Sequence, residues 1–414
     1  MNSWLIFILL IIIIGLLLEC TVSLLNLKAL KPELPDEFAD VYDSAEYSKS
    51  QNYTKATTRL SIVSSLFSTT LTLIFLLLGG FNFIDIFARS FGYGSILTGI
   101  IFSGILIILS YLVGLPFSVY STFVIEERFG FNKTTPLIFI QDTLKALLLV
   151  VILGGPLLSV ILFFFEIAGT FAWIYCWVAV ICFSTFVQFI APVVILPLFN
   201  TFTPLEEGEL KEQITEYAHQ ENFQIKGIFT MDGSKRSTKL NAFFTGFGRF
   251  RKIVFYDTLV EKLSSSEIIA VLAHEMGHFK LKHIIKMLVV STLQTGLMFF
   301  LLSLTINNEG LFEAFKMDSL SIYASLIFFS FIFSPVNLLV SVIFNFISRK
   351  HEYQADSYAR VTTGDSSNLI SGLKKLSQAN LSNLTPHPFA VFMEYSHPPV
   401  IERIKALQAS NESN

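Results

Sequence analysis

His274 and His278 stand four residues apart in the run His274-Glu275-Met276-Gly277-His278. Four residues make about one helical turn, so on a helix both imidazoles share a face. Two ring nitrogens so placed can reach one divalent metal at about 2.0–2.1 Å, and a histidine–carboxylate set suits zinc best. Glu275 follows the first histidine and can act as general base on a water at the metal. That is the chemistry of metal-assisted peptide hydrolysis. Alone, the run also reads as a polar helix face with two solvated histidines, so further groups must decide.

A catalytic zinc usually takes three protein ligands and keeps one position open. The run His351-Glu352-Tyr353-Gln354-Ala355-Asp356 offers carboxylates at i and i+4. Glu352 can complete the metal shell, and Asp356 can accept the other ring N–H of a ligand histidine and fix its tautomer. By itself such a pair is commonly a solvated face. Beside His-Glu-x-x-His, on the same side of a membrane, it becomes the candidate third ligand. A further polar cluster, Tyr395-Ser396-His397-Pro398-Pro399, holds a histidine that most often would be a cap or surface residue. Its two prolines would fix the backbone around it. His283 and His351 adjoin the motifs off the ligand spacing and read as interfacial residues, not ligands.

The elements that must carry these groups are mostly apolar. Of 414 residues, 52% are hydrophobic and only 15% charged, against roughly 25% charged in an ordinary soluble domain. That excludes a disordered chain and a soluble coiled coil. A formal net charge of -3 leaves no basic excess, so nucleic acid is not an expected partner. Seven stretches reach the roughly 20 residues needed to cross a bilayer. They run over Trp4–Leu24, Ser61–Ile84, Ser95–Leu115, Ala146–Phe165, Phe171–Leu196, Ile284–Ile306 and Ser321–Phe346. Gly154-Gly155-Pro156 and Ser334-Pro335 predict kinks in the fourth and seventh.

Seven spans divide the polar segments between two sides. One side carries the 25–60 and 116–145 loops, the 197–283 segment and the tail, with nearly all the lysines and arginines; the other carries only Arg89 and Lys316. The basic side is expected to be cytoplasmic. Both metal-ligand motifs fall on it. Within 197–283, Glu206–Gln220 is helix-prone, and Gln224–Met231 and Arg251–Tyr256 are strand-like around a turn at Gly246 and Gly248. Ser264, followed by Glu267, predicts the capped start of the motif helix. The expected organisation is residues 1–196 with spans one to five, 197–283 as a cytoplasmic segment, 284–347 with spans six and seven, and 348–414 as a tail carrying the third ligand. The tail is expected to dock on the 197–283 segment.

With their neighbours, these residues resemble the type I CAAX prenyl proteases, integral-membrane gluzincins. Leu272–His283 (LAHEMGHFKLKH) and Ser348–Ala359 (SRKHEYQADSYA) are similar to the two zinc motifs of that family. The segments at 126–135, 197–214, 235–259 and 395–404 are similar to family segments in the same order, so the likeness covers most of the chain. It implies an all-α polytopic membrane protein, seven transmembrane helices around an internal water-filled chamber, with a small α+β zincin-like cytoplasmic portion. It implies one Zn²⁺ per chain held by His274, His278 and Glu352, with Glu275 activating water and Asp356 behind the ligands. It implies that Asn241 pairs with the substrate backbone, that His397 and Arg403 line the site, and that His397 stabilises the oxyanion. The implied reaction removes the C-terminal tripeptide of a prenylated protein. Membrane lipids are the other implied partner, and a monomer is expected. His351 departs from the pattern, standing where an aromatic is commoner. The tail has no dilysine signal and the chain is compact, so a bacterial inner membrane is favoured over an endoplasmic reticulum membrane. Two alternatives stand beside this reading. One is a membrane-protein quality-control metalloprotease with no prenyl requirement. The other is a multi-pass metal or solute transporter, which would place its site near the bilayer midplane in repeated halves.

Overall fold

The structure, a computed structural model, describes residues 2–245 and 252–412. Among them are seven helices long and apolar enough to cross a membrane: Ser3–Lys28, Ser44–Leu77, Ser95–Glu126, Pro136–Ile167, Gly169–Phe199, His283–Ser303 and Ile322–Thr363. In hydrocarbon every backbone polar group needs a partner within the protein, and a helix supplies it locally. Asn2 caps the first helix by accepting from the N–H groups of Trp4 and Leu5.

The helices outrun their apolar runs. Asp43 caps the second at Ser44, and Thr135 with Pro136 starts the fourth ten residues before Ala146. The expected span Ser61–Ile84 is cut at Gly79, whose φ of +77° is cheap only for glycine, and Ile84 lies in a separate short helix, Gly80–Arg89. Hydropathy reports apolar content, not backbone continuity, and so missed both. The kink expected at Gly154-Gly155-Pro156 is a π turn over Val150–Gly154. Pro335 sits inside the last helix, which nevertheless runs unbroken for 42 residues.

Neighbouring spans touch in sequence order, and the seventh packs against the first, closing a ring. Little of each span is buried against protein, at most 22% of its most apolar window, as expected for helices set around an open interior. The end opposite the His-Glu-x-x-His motif is packed shut. There Phe81, Phe102, Leu162, Phe315, Tyr323 and Phe328 are buried together, with the Phe315 and Phe328 rings stacked 3.7 Å apart.

The other end carries the mixed α/β part. Among the described residues four strands, β1 (Phe202–Pro204), β2 (Gly227–Met231), β3 (Ala242–Thr245) and β4 (Lys252–Tyr256), form a sheet of order β1-β2-β4-β3. The β2–β4 pair is parallel; the outer pairs are antiparallel, leaving β3 at an edge. The turn expected at Gly246 and Gly248 lies outside the described residues.

The motif helix, Ser265–Lys280, starts in the predicted way. Ser264 accepts from the Glu267 N–H while Glu267 accepts from the Ser264 N–H, a reciprocal capping box. Leu272 and Met276 bury one face of this helix against Ile253, Phe255, Leu369 and Leu407, so the tail does dock on the 197–283 segment. The last membrane helix crosses the motif helix at Gly277, where a Cβ would come within 3.0 Å of Ala355 Cα and 3.2 Å of Ala355 O. The 42-residue helix is ~63 Å long at 1.5 Å per residue, well beyond a ~30 Å hydrocarbon core. Its surplus length carries Glu352 and Asp356 out to the motif helix.

Candidate metal centre

Three donor groups meet where these two helices cross. His274 Nε2 and His278 Nε2 are 3.2 Å apart. Glu352 Oε2 lies 3.4 Å from the first, and Glu352 Oε1 lies 3.2 Å from the second. Four ligands held at about 2.0–2.1 Å around a tetrahedral ion stand ~3.3–3.4 Å from one another. The separations between the three groups match that edge. Glu352 is buried, and its Oε2 accepts no aligned hydrogen bond although Arg403 lies beside it. The donor set and its spacing therefore fit a divalent metal.

The outer groups support the same reading. His274 Nδ1 lies 2.8 Å from Asp356 Oδ1, which fixes the proton on Nδ1 and leaves the Nε2 lone pair facing the triangle. Burial and the positive Arg403 push His274 down, but Asp356 and Glu352 outweigh them and lift it to about 9. Surroundings that raise an imidazole's affinity for a proton favour any cation at that place. Arg403, from the tail helix Val400–Glu412, is buried and grips Asp356 with two bonds, Nε to Oδ2 at 2.8 Å and Nη2 to Oδ1 at 2.6 Å. Its Nη1 lies 3.2 Å from Glu352 Oε2. A buried fork of this kind sets carboxylate orientation as well as charge.

A cavity of about 720 Å³ opens over the triangle, and Glu275, His397, Phe243 and Phe244 line it. Glu275 is half-buried, one position past His274 on the same helix. His397 is exposed, with Nε2 3.5 Å from Glu352 Oε1 and Nδ1 3.0 Å from Ser396 Oγ. Asn241 is exposed at the head of β3; its side chain accepts from the Ala242 N–H, and it lies outside the cavity lining.

The site holds more than the motifs suggested. Arg403, implied to line the site, does line the cavity, and its guanidinium is committed to Asp356 and Glu352. His283 and His351, read as interfacial, are both buried beside the triangle. Their rings stack 3.9 Å apart at 9°, and His283 Nδ1 reaches 3.1 Å from His278 Nδ1. The available signal was the chain itself: Lys282, at φ +59°, turns the backbone and begins a new helix on His283, folding that residue back on the motif.

Comparison with known proteins places these features. The family model described as CAAX prenyl protease N-terminal, five membrane helices, matches residues 23–201, and that of peptidase family M48 matches residues 204–411. CAAX prenyl protease 1 of Saccharomyces cerevisiae is 36% identical, with 93% of this chain and 90% of that protein covered. The human CAAX prenyl protease 1 homolog is 33% identical, over 92% and 89%. The crystal structure of S. mikatae Ste24p superposes with a TM-score of 0.93 at 35% identity, covering 98% of this chain and 99% of that one. These relatives are protease homologues, which leaves the transporter alternative without support. They are also eukaryotic, so they lend nothing to a bacterial inner membrane.

Proposed function

We propose, since the chain belongs to peptidase family M48 and is a multi-pass membrane metalloendopeptidase, that it removes the C-terminal tripeptide of prenylated CAAX-type proteins. The carrying observation is the convergence of His274, His278 and Glu352 beneath a cavity that Glu275 also lines. The names of the relatives supply the substrate class.

In this reading His274 Nε2, His278 Nε2 and Glu352 would hold zinc, which when bound would acidify water toward pKa ~7 and polarise the scissile carbonyl. Glu275 takes a proton from the attacking water as its oxygen bonds to the carbonyl carbon. The C–N bond then breaks, and Glu275 returns the proton to the leaving amine. His397 donates to the oxygen that becomes negative, a role typically worth about 3–4 kcal/mol. Asn241 heads the exposed edge of β3, where an extended peptide can add as a further strand. Phe243 and Phe244, next on that strand, lead it into the cavity. Arg403 acts on the protein side, fixing Glu352 and Asp356. The ring of apolar helices holds the lipid, whose tail water does not dissolve, and the site faces the cytoplasm by the distribution of basic residues. One chain supplies every group named, so we expect a monomer to be active.

The test is cleavage of a farnesylated CAAX peptide by the detergent-purified full chain, followed by mass spectrometry. The unlipidated peptide runs alongside, each with and without a chelator. Chelator-sensitive, lipid-dependent loss of three residues is expected. Equal cleavage of both peptides at several bonds would move the enzyme to membrane-protein quality control.

A further inference from the structure

Each ligand histidine turns one ring nitrogen inward and the other outward, and the outward partners differ. For His274 the partner is Asp356. For His278 it is a neutral chain: Nδ1 lies 3.1 Å from His283 Nδ1, and His283 Nε2 lies 3.0 Å from Gln354 Oε1. An amide oxygen only accepts, so His283 Nε2 carries the proton and donates it to Gln354. His283 Nδ1 is then a lone pair. His278 Nδ1 must donate to it, which leaves the His278 Nε2 lone pair pointing at His274 Nε2 and Glu352 Oε1.

We infer that His283 and Gln354 are positioning residues that hold His278 in its metal-binding tautomer and rotamer, an inference resting on the metal site proposed above. The geometry suits the task. His283 is the first residue after the left-handed turn at Lys282, so the backbone fixes where its ring starts. His283 is 2% exposed, and its ring lies flat on His351, which blocks rotation. Gln354 sits two residues past Glu352 on the last membrane helix. The helix that brings the third ligand therefore also brings the end of the chain that orients the second. Stacking alone explains why an imidazole serves at 351 as another aromatic would.

The experiment measures zinc dissociation from the full chain in detergent by competition with a chromophoric chelator. Co²⁺ replacement then gives the d–d spectrum as a readout of ligand geometry. His283→Leu keeps bulk and removes the acceptor; zinc should bind 10–100-fold more weakly, with an altered cobalt spectrum. His283→Asn puts an amide oxygen near the lost Nδ1 and should stay within about threefold of wild type. Gln354→Leu leaves the ring free to choose the wrong tautomer and should fall between them. His351→Phe keeps the stack and should bind as wild type. Wild-type affinity in His283→Leu, or equal weakening in His283→Leu and His283→Asn, would overturn the inference in favour of packing. Should His283→Leu fail to fold by gel filtration, Gln354→Leu decides alone, and wild-type affinity there is the overturning result. A wild-type chain that holds no zinc removes the metal site, and this inference with it.

Discussion

Asp85 and Glu352 are both buried carboxylates beside an arginine, at opposite ends of one ring of helices, and they face opposite kinds of neighbour. Asp85 Oδ1 accepts from Tyr323 Oη at 2.5 Å, and Oδ2 accepts from Arg89 Nε at 2.7 Å. Each oxygen has its own donor, so the cluster is complete as it stands. Glu352 faces two imidazole nitrogens whose lone pairs point at it, and one of its oxygens accepts no aligned hydrogen bond. Burying a carboxylate is costly in either place. A donor for each oxygen closes a brace; two ring nitrogens converging on a carboxylate that one arginine only partly satisfies leave a place for a cation. Burial and charge alone therefore do not mark a site, whereas convergent lone pairs do.

The same acid-to-amide change at the two ends separates them most sharply. Glu352→Gln should lose zinc, measured by elemental analysis after gel filtration, and peptidase activity should fall to background. Retained stoichiometric zinc would erase the distinction. Glu275→Gln should lower kcat about 10²–10⁴-fold with zinc still bound, since it removes a base and no ligand. Full turnover by that zinc-loaded variant would sink the general-base role. Asp85→Asn should leave zinc and kcat unchanged and cost about 1–3 kcal/mol of stability, read as a lower apparent melting midpoint in detergent. An activity loss without a stability loss there would make the far cluster functional. The smallest effect belongs to Glu267. Burial raises its pKa, but Lys375, Ser371 and the Ser264 N–H outweigh burial and hold it below the ordinary 4.5. Its contribution is thus present above pH 4.5 and fades as pH falls through the lower folded value. Glu267→Gln should cost less than about 1 kcal/mol at pH 7, and its melting midpoint should converge with wild type in acid. Parallel curves from pH 7 to pH 3 would reject the assignment.

The near end was far more legible than the far end. The spacing of His274 and His278 is local, so helical periodicity alone aligns them. Ser264 and Glu267 form their box within one turn for the same reason. Glu352 lies 74 positions past His278, but its own i, i+4 pairing with Asp356 advertised it. Asp85 and Tyr323 are 238 positions apart with no local pattern to couple them. His283 was misread because a turn at Lys282 breaks the periodicity that would have related it to His278. The resemblance placed Arg403 at the site, and it does line the cavity; only the crossing of three helices reveals that its guanidinium is spent on Asp356 and Glu352. Span limits failed where helices ran on through polar residues or stopped at a glycine inside an apolar run.

Gly277 sets the spacing of the donor groups. It is the last unspecified position of His-Glu-x-x-His, and it is where the two ligand-bearing helices touch backbone to backbone. Two corners of the donor triangle ride on one helix and the third on the other, so the gap between the helices gauges the triangle's width. A single methyl group at 277 would wedge that gap and lengthen two of its three sides at once. Larger, harder ions such as calcium take six to eight oxygen ligands, so a triangle of two imidazoles and one carboxylate turns them away by ligand type, while the glycine keeps the triangle closed.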